Sequence, residues 1–203
     1  MEEQTRAAEL GEPFRRFGEW MERAMAAGVG EPTAMALATA DAQGRPSVRM
    51  VLLKGFDERG FVFYTNLESR KGRELTENPH AALCLFWQPL ELQVRIEGPV
   101  HPVSAAEADE YYASRPRGSR IGAWASLQSQ PLTSYDELMG RVQEYESRFT
   151  ADDIPRPPYW SGFRLDPARI EFWQGRPSRL HERERFDRDP ADPSRWLVQN
   201  LYP

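Results

Sequence analysis

Apolar residues recur at three- and four-residue spacing early in the chain, at Phe14, Phe17, Trp20, Met21, Ala24 and Met25, with Pro13 in front and Gly28 behind. That period predicts an amphipathic helix ending at Gly28. The pattern then turns to strand-like segments over 33–40, 46–53 and 61–65, with turns at Asp41-Ala-Gln-Gly44 and from Gly55 to Gly60, which predicts an antiparallel meander. Ser69 is the expected N-cap of a short helix ending before Pro79, and 81–87 with 91–103 form an expected hairpin turned at Gln88-Pro-Leu90. Ser104 and Ser134 are each followed three residues later by glutamate, Glu107 and Glu137, so the capping-box spacing starts two more helices there. After the stiff segment Pro155-Arg-Pro-Pro158, strands are expected near 160–165, 169–174, 179–186 and 196–201. The sum, mainly β with helices (α+β), predicts an antiparallel barrel or strongly curled sheet with helices packed outside it. One domain is expected over 1–203, with 1–12 as a flexible N-terminal arm.

Composition narrows the class of function. With 203 residues, 40% hydrophobic and 28% charged, the chain fits an ordinary globular protein rather than a disordered or fibrous one. No apolar run reaches the ~18 residues of a membrane span, and the acidic start MEEQTRAAELGEP is unlike a secretory signal. The single cysteine, Cys84, has no internal disulfide partner, so a reducing cytoplasmic setting is expected. A net charge of −5 argues against nucleic acid or an acidic membrane surface as partner. Among 26 basic residues, only Lys54 and Lys71 are lysine. Bias towards arginine explains the 26 as a set but not why these two positions differ.

Candidate chemistry lies in three stretches. If Arg179-Leu-His-Glu-Arg-Glu-Arg185 is extended, Arg179, His181, Arg183 and Arg185 share one face, and three guanidiniums around an imidazole suit a bound anion. An exposed strand of alternating charge is the plainer reading. Ser69-Arg70-Lys71 places two cations at a helix N-terminus, an unfavourable position unless a phosphate monoester or solvent compensates them. In Arg49-Met-Val-Leu-Leu-Lys54 strict alternation sends the two cations to opposite faces, so either one lines the site or a bulge or strand end redirects the other. Gln93 within an apolar strand and the polar groups of Ser126-Leu-Gln-Ser129 could meet the edge of a flat heteroaromatic ring, although backbone bonding is commoner. His80, His101 and Cys84 lack metal-like spacing, so no metal site is expected, and no G-x-G-x-x-G or P-loop occurs.

The segments RMVLLK (49–54), FVFYTN (61–66), SRKGREL (69–75), SRPRGSRIGAWAS (114–126), QSQPL (128–132) and IEFWQGRPSRLHER (170–183) resemble, in order and spacing, the pyridoxine (pyridoxamine) 5′-phosphate oxidases. The resemblance runs from about Phe14 to the end, and its most specific element is RLHER with the preceding EFWQG. It implies an FMN-binding split β-barrel homodimer with FMN at the interface, and oxidation of either phosphorylated vitamer by O₂ to pyridoxal 5′-phosphate, releasing H₂O₂ and, from the amine, ammonia. Carried over position by position, it implies flavin contacts at Arg49, Met50, Val51, Leu52, Leu53, Lys54, Tyr64, Thr65, Arg70, Lys71, Gln93, Gln128, Ser129, Trp173 and Arg183. It implies substrate contacts at Lys54, Tyr111, Arg115, Ser119, Arg179 and His181, with Arg179 and His181 acting at the reacting ring. Tyr111, Arg115 and Ser119 converge only if their helix stops near Ser114. The chain departs from the family pattern at its end, where Asn200-Leu-Tyr-Pro203 stands in place of R-L-x-P, and in its short acidic arm. Two alternatives stand beside this expectation: a related FMN oxidase of the phenazine-biosynthesis type, and a non-enzymatic flavin or pyridoxal-phosphate binding protein.

Overall fold

A computed structural model describes residues 6–203. Its strands are β1 (Arg6–Glu9), β2 (Ala34–Ala40), β3 (Pro46–Leu52), β4 (Gly55–Asp57), β5 (Gly60–Asn66), β6 (His80–Trp87), β7 (Leu92–Pro102), β8 (Trp160–Leu165), β9 (Arg169–Gln174), β10 (Glu182–Arg188) and β11 (Arg195–Asn200). Its helices are α1 (Glu12–Ala26), α2 (Arg70–Glu77), α3 (Ala105–Ser114), α4 (Arg117–Ala125) and α5 (Tyr135–Arg148). The sheet runs β1-β11-β10-β9-β7-β6-β2-β3, and a second layer, β4-β5-β8, returns to β7.

β7 makes the barrel because it serves both layers. Leu92–Glu97 pairs with β9, whereas Val100–Pro102 pairs with β8. The corner falls at Gly98, where an added Cβ would lie 2.1 Å from the Asp166 carbonyl oxygen, so two backbones cross where no side chain fits. The outcome is a split barrel of antiparallel strands flanked by helices, as the resemblance implied. Inside it lies the stripe of α1: Phe14 stacks on Phe61 at 5.6 Å, Phe17 meets Phe61 at 5.0 Å and Trp20 meets Phe172 edge-on at 5.1 Å. Each such ring contributes roughly 1.5–3 kcal/mol by leaving water, and together they tie α1 to both layers.

Four local expectations change. The arm falls outside the described residues only to residue 5; from Arg6 it is β1, an edge strand whose Ala7 pairs with Leu197. The Gly55–Gly60 turn contains β4, three residues too short to show alternation. α4 was not expected: its N-cap is Pro116 with no side-chain cap bond, and Gly118 and Gly122 weaken its helical signal. Arg179 to Arg185 is not one strand. Ser178 and Arg179 have φ of 60° and 62°, so the chain makes a left-handed turn and β10 starts only at Glu182.

Candidate active site

β3, β5, α2, α3 and α4 surround a cavity of about 480 Å³, within the size range of small-molecule sites. Lys54 and Lys71, the two lysines, both line it, with Arg49, Met50, Val51, Leu52, Tyr64, Thr65, Tyr111, Arg115, Ser119 and Gln128. The strand end resolves the Arg49–Lys54 alternation: β3 stops at Leu52, Leu53 turns into the core at 4% exposure, and Lys54 swings back to the cavity. Leu53 is therefore behind the wall rather than in it. Arg70 and Ser129 do not line the cavity but adjoin Lys71 and Gln128, which do, and the Arg70 backbone N–H donates to Ser129 Oγ at 3.2 Å. Ser129 has φ of 71°, a strained value for serine that presents its hydroxyl to α2.

α2 is capped as expected, with Ser69 Oγ accepting from Gly72 N–H at 3.2 Å. Its two leading cations are held differently. Arg70 Nε donates to Glu74 Oε1 at 2.8 Å, one turn on, and Arg49 Nη2 donates to Glu74 Oε2 at 3.2 Å. Lys71 Nζ instead donates to Gln128 Oε1 at 2.8 Å and Thr65 Oγ1 at 3.2 Å. Burial first, and then the neighbouring Arg49 charge, bring the Lys71 ammonium down to about 8.

α3 ends at Ser114, Pro116 forbids its continuation, and α4 starts at Arg117. Tyr112 Oη donates to the Arg120 carbonyl at 2.9 Å and locks the two helices together, which brings Tyr111, Arg115 and Ser119 to one wall. The Arg115 guanidinium lies 4.8 Å above the Trp160 ring and 5.9 Å from the Tyr112 ring. Among the described residues it has no carboxylate partner, and its buried Nη1 has no hydrogen-bond partner. A stack of Tyr64 on Tyr111 at 4.0 Å and on Trp160 at 5.3 Å continues this aromatic floor. Burial, with the Glu107 charge behind it, pushes the Tyr64 hydroxyl up to about 12, so it stays protonated.

The other expected residues lie elsewhere. Gln93 of β7 pairs across the sheet with Trp173 of β9, and Trp173 lies 4.6 Å from the His181 ring. His181 and Arg183 line a second cavity with Arg16, Trp20, Gln174 and Asn200. Arg183 and Arg185 do not form an open anion cage: Arg183 Nε donates to Glu171 Oε1 at 2.9 Å, and Arg185 Nε to Asp187 Oδ2 at 2.6 Å. Each guanidinium therefore already has a carboxylate. Arg179 is exposed on its left-handed turn. None of Gln93, Trp173, Arg179, His181 or Arg183 reaches the first cavity within the same chain.

Comparison with known proteins decides the family. The pyridoxamine 5′-phosphate oxidase family matches residues 21–174, and the pyridoxine 5′-phosphate oxidase C-terminal dimerisation region matches 160–203. The chain belongs to the pyridoxamine 5′-phosphate oxidase family. A pyridoxine/pyridoxamine 5′-phosphate oxidase of Bordetella pertussis is 56% identical over all of this chain and 93% of its own length. One from Brucella canis is 57% identical over 95% of this chain and 94% of its own. The structure of PhzG from Burkholderia lata 383, in complex with tetrahydrophenazine-1-carboxylic acid, superposes with a TM-score of 0.88 at 37% identity, covering 94% of this chain and 92% of that one.

Within this oxidase family frame, two contributors escaped sequence reasoning. Trp160 was placed only in a strand, and nothing in its alternation marks the ring as the floor under Arg115. Nothing in the sequence around Glu74 marks its role, because its partners Thr39, Ser47 and Arg49 come from other elements.

Proposed function

We propose that the chain oxidises pyridoxamine 5′-phosphate or pyridoxine 5′-phosphate to pyridoxal 5′-phosphate, using FMN and O₂. The observation that carries the reading is Arg115. A half-buried guanidinium cushioned by rings and, among the described residues, without a carboxylate keeps its charge and donors for an incoming anion. Lys54, Tyr111 and Ser119 stand on the same cavity, and this donor set fits a phosphate monoester. Arg49 and Lys71 of the same cavity, with the neighbouring Arg70 and the first-turn N–H groups of α2, fit the second phosphate, that of FMN. Residues Met50 to Leu52 and Gln128 would hold the flavin's ring system.

The chemistry FMN supplies when bound is two-electron oxidation at the substrate's C4′ carbon, with O₂ as final acceptor and H₂O₂ as product. The chain's residues bind and orient: the Arg115 wall fixes the phosphate, and the protonated Tyr64 and the rings around it set the depth of the cavity. The alcohol gives the aldehyde directly, whereas the amine gives an imine whose hydrolysis releases ammonia. A homodimer accounts for the displaced residues. The matched dimerisation region contains Trp173, Arg179, His181 and Arg183, and β3 exposes Val48, Met50 and Leu52 beside the first cavity. In this reading Arg179 and His181 of the partner subunit complete the site, and FMN lies between the two copies.

The PhzG likeness favours a second reading, oxidation of a substrate without phosphate. One assay separates them: flavin-loaded chain is mixed in air with each phosphorylated vitamer and with unphosphorylated pyridoxamine, and aldehyde and peroxide are followed. Equal amounts of aldehyde and peroxide from the phosphorylated forms are expected. No product from either phosphorylated form would overturn the proposal.

A further inference from the structure

The carboxylate of Glu74 stands among the cations assigned to the flavin phosphate, where its own charge repels a phosphate. It is 5% exposed. Its Oε2 accepts from Thr39 Oγ1 at 2.5 Å, Ser47 Oγ at 2.6 Å and Arg49 Nη2 at 3.2 Å, and its Oε1 accepts from Arg70 Nε at 2.8 Å. Burial opposes its ionisation, yet the bonds from Ser47, Thr39, Arg70 and Arg49 hold it down to about 2, so it is charged at any working pH. Four partners from β2, β3 and α2 meet on this one group.

We propose that Glu74 is a positioning residue for FMN, fixing the Arg49 and Arg70 guanidiniums in the arrangement that receives the cofactor's phosphate. This rests on the flavin reading above. Without an anion between them, the cations of β3 and α2 repel one another in the flavin-free chain. Formal charges fit: Arg49, Arg70 and Lys71 less Glu74 leave two positive charges, against roughly two negative on a phosphate monoester. Arg49 has other anchors in the Leu37 carbonyl, at 3.1 Å, and the Thr39 and Ser47 hydroxyls. Arg70 is more exposed, with 60% of its side chain open to solvent. Freed from Glu74, it extends into water and must be ordered anew at each binding event. Neutralising Glu74 also removes a repulsion from the phosphate, but the cavity opens to solvent and screens that term, so loss of order wins.

The test compares two flavins that differ only in the phosphate. Full-length chain stripped of flavin, wild type and Glu74→Gln, is titrated with FMN and with riboflavin, following quenching of flavin fluorescence, and its thermal unfolding is recorded. The variant's Kd for FMN is expected to rise about tenfold, the scale of one charge-assisted hydrogen bond, while its Kd for riboflavin is unchanged. Equal weakening of both flavins would mark Glu74 as merely structural and overturn the inference, as would an unchanged or tighter Kd for FMN. Should Glu74→Gln fail to fold, Glu74→Asp keeps the charge but not the reach to both arginines. It is expected to show the same FMN-selective loss, and equal loss for both flavins would overturn the inference in its turn. A wild-type chain that binds FMN no better than riboflavin would overturn the flavin-phosphate reading itself.

Discussion

On the β9–β10 side, one nearly buried carboxylate, Glu171, takes the Arg183 guanidinium through two bonds and Arg95 through a third. Around the first cavity, by contrast, among the described residues Arg115 lies against aromatic rings without a carboxylate and Lys71 donates to neutral oxygens. Both regions are rich in cations, but Arg183 gives both its Nε and its Nη2 to one carboxylate, so an incoming anion must compete for donors already used, whereas Arg49 and Arg70 share Glu74 with one bond each. A cation left to rings and amides keeps its donors, and burial makes that charge costly until an anion arrives. Partner chemistry therefore separates cations that organise the sheet from cations that wait for a ligand, which counting arginines cannot do.

Removing a carboxylate from the second region breaks that comparison most sharply. Glu171→Ala leaves Arg95 and Arg183 facing each other without an anion, and is expected to cost about 3 kcal/mol of stability in urea unfolding. Burial opposes the Glu171 charge, but the bonds from Arg183 and Arg95 keep its carboxyl below the usual range, so its contribution is present at neutral pH and is lost as acid protonates it.

The same operation in the first region acts on function instead. Arg115→Ala is expected to leave unfolding unchanged and to lower kcat/KM for pyridoxamine 5′-phosphate about 100-fold, the loss of about two charge-assisted bonds. The rate with unphosphorylated pyridoxamine should not move. A comparable fall in stability would show that Arg115 belongs to the organising class.

The pH dependence of flavin binding sharpens the contrast next. Lys71 titrates near 8 in the flavin-free chain, and phosphate binding favours the ammonium. From about pH 7, where the phosphate is fully charged, up to that pH the affinity for FMN is therefore expected to be flat, and above it to fall, up to about tenfold per pH unit. Lys71→Arg, charged throughout, should abolish the decline; an alkaline limb that persists would assign it to another group. The smallest expected effect is at the floor of the site. Trp160→Phe keeps a ring but weakens the face beneath Arg115, raising KM for the phosphorylated substrate about threefold with kcat unchanged.

Much of the first region was legible because its signals are local. The Ser69 cap, the stop at Pro116 and the two odd lysines each need only a few neighbouring residues, and all lead to one cavity. The second region was misread where local period meets backbone strain. Alternation from Arg179 to Arg185 is intact in sequence, but two successive left-handed residues take Arg179 off the strand, and the carboxylates that neutralise Arg183 and Arg185 are Glu171, from β9, and Asp187, two residues along β10. Glu74 and Trp160 were hidden for the same reason: apart from Arg70, one turn from Glu74, what they touch is brought from other elements by the barrel.

On the proposed function, the two regions form one site only across two subunits. Chains carrying Arg115→Ala and chains carrying Arg179→Ala, each inactive in its own homodimer, are unfolded together in equal amounts and refolded to mix the subunits. Half of the resulting dimers are mixed, and one of the two sites in each has both halves intact, so about one quarter of wild-type activity is expected to return. If both halves of a site came from one chain, no mixed dimer would hold an intact site, and activity that stayed at the level of the separate variants would rule out a site shared between subunits.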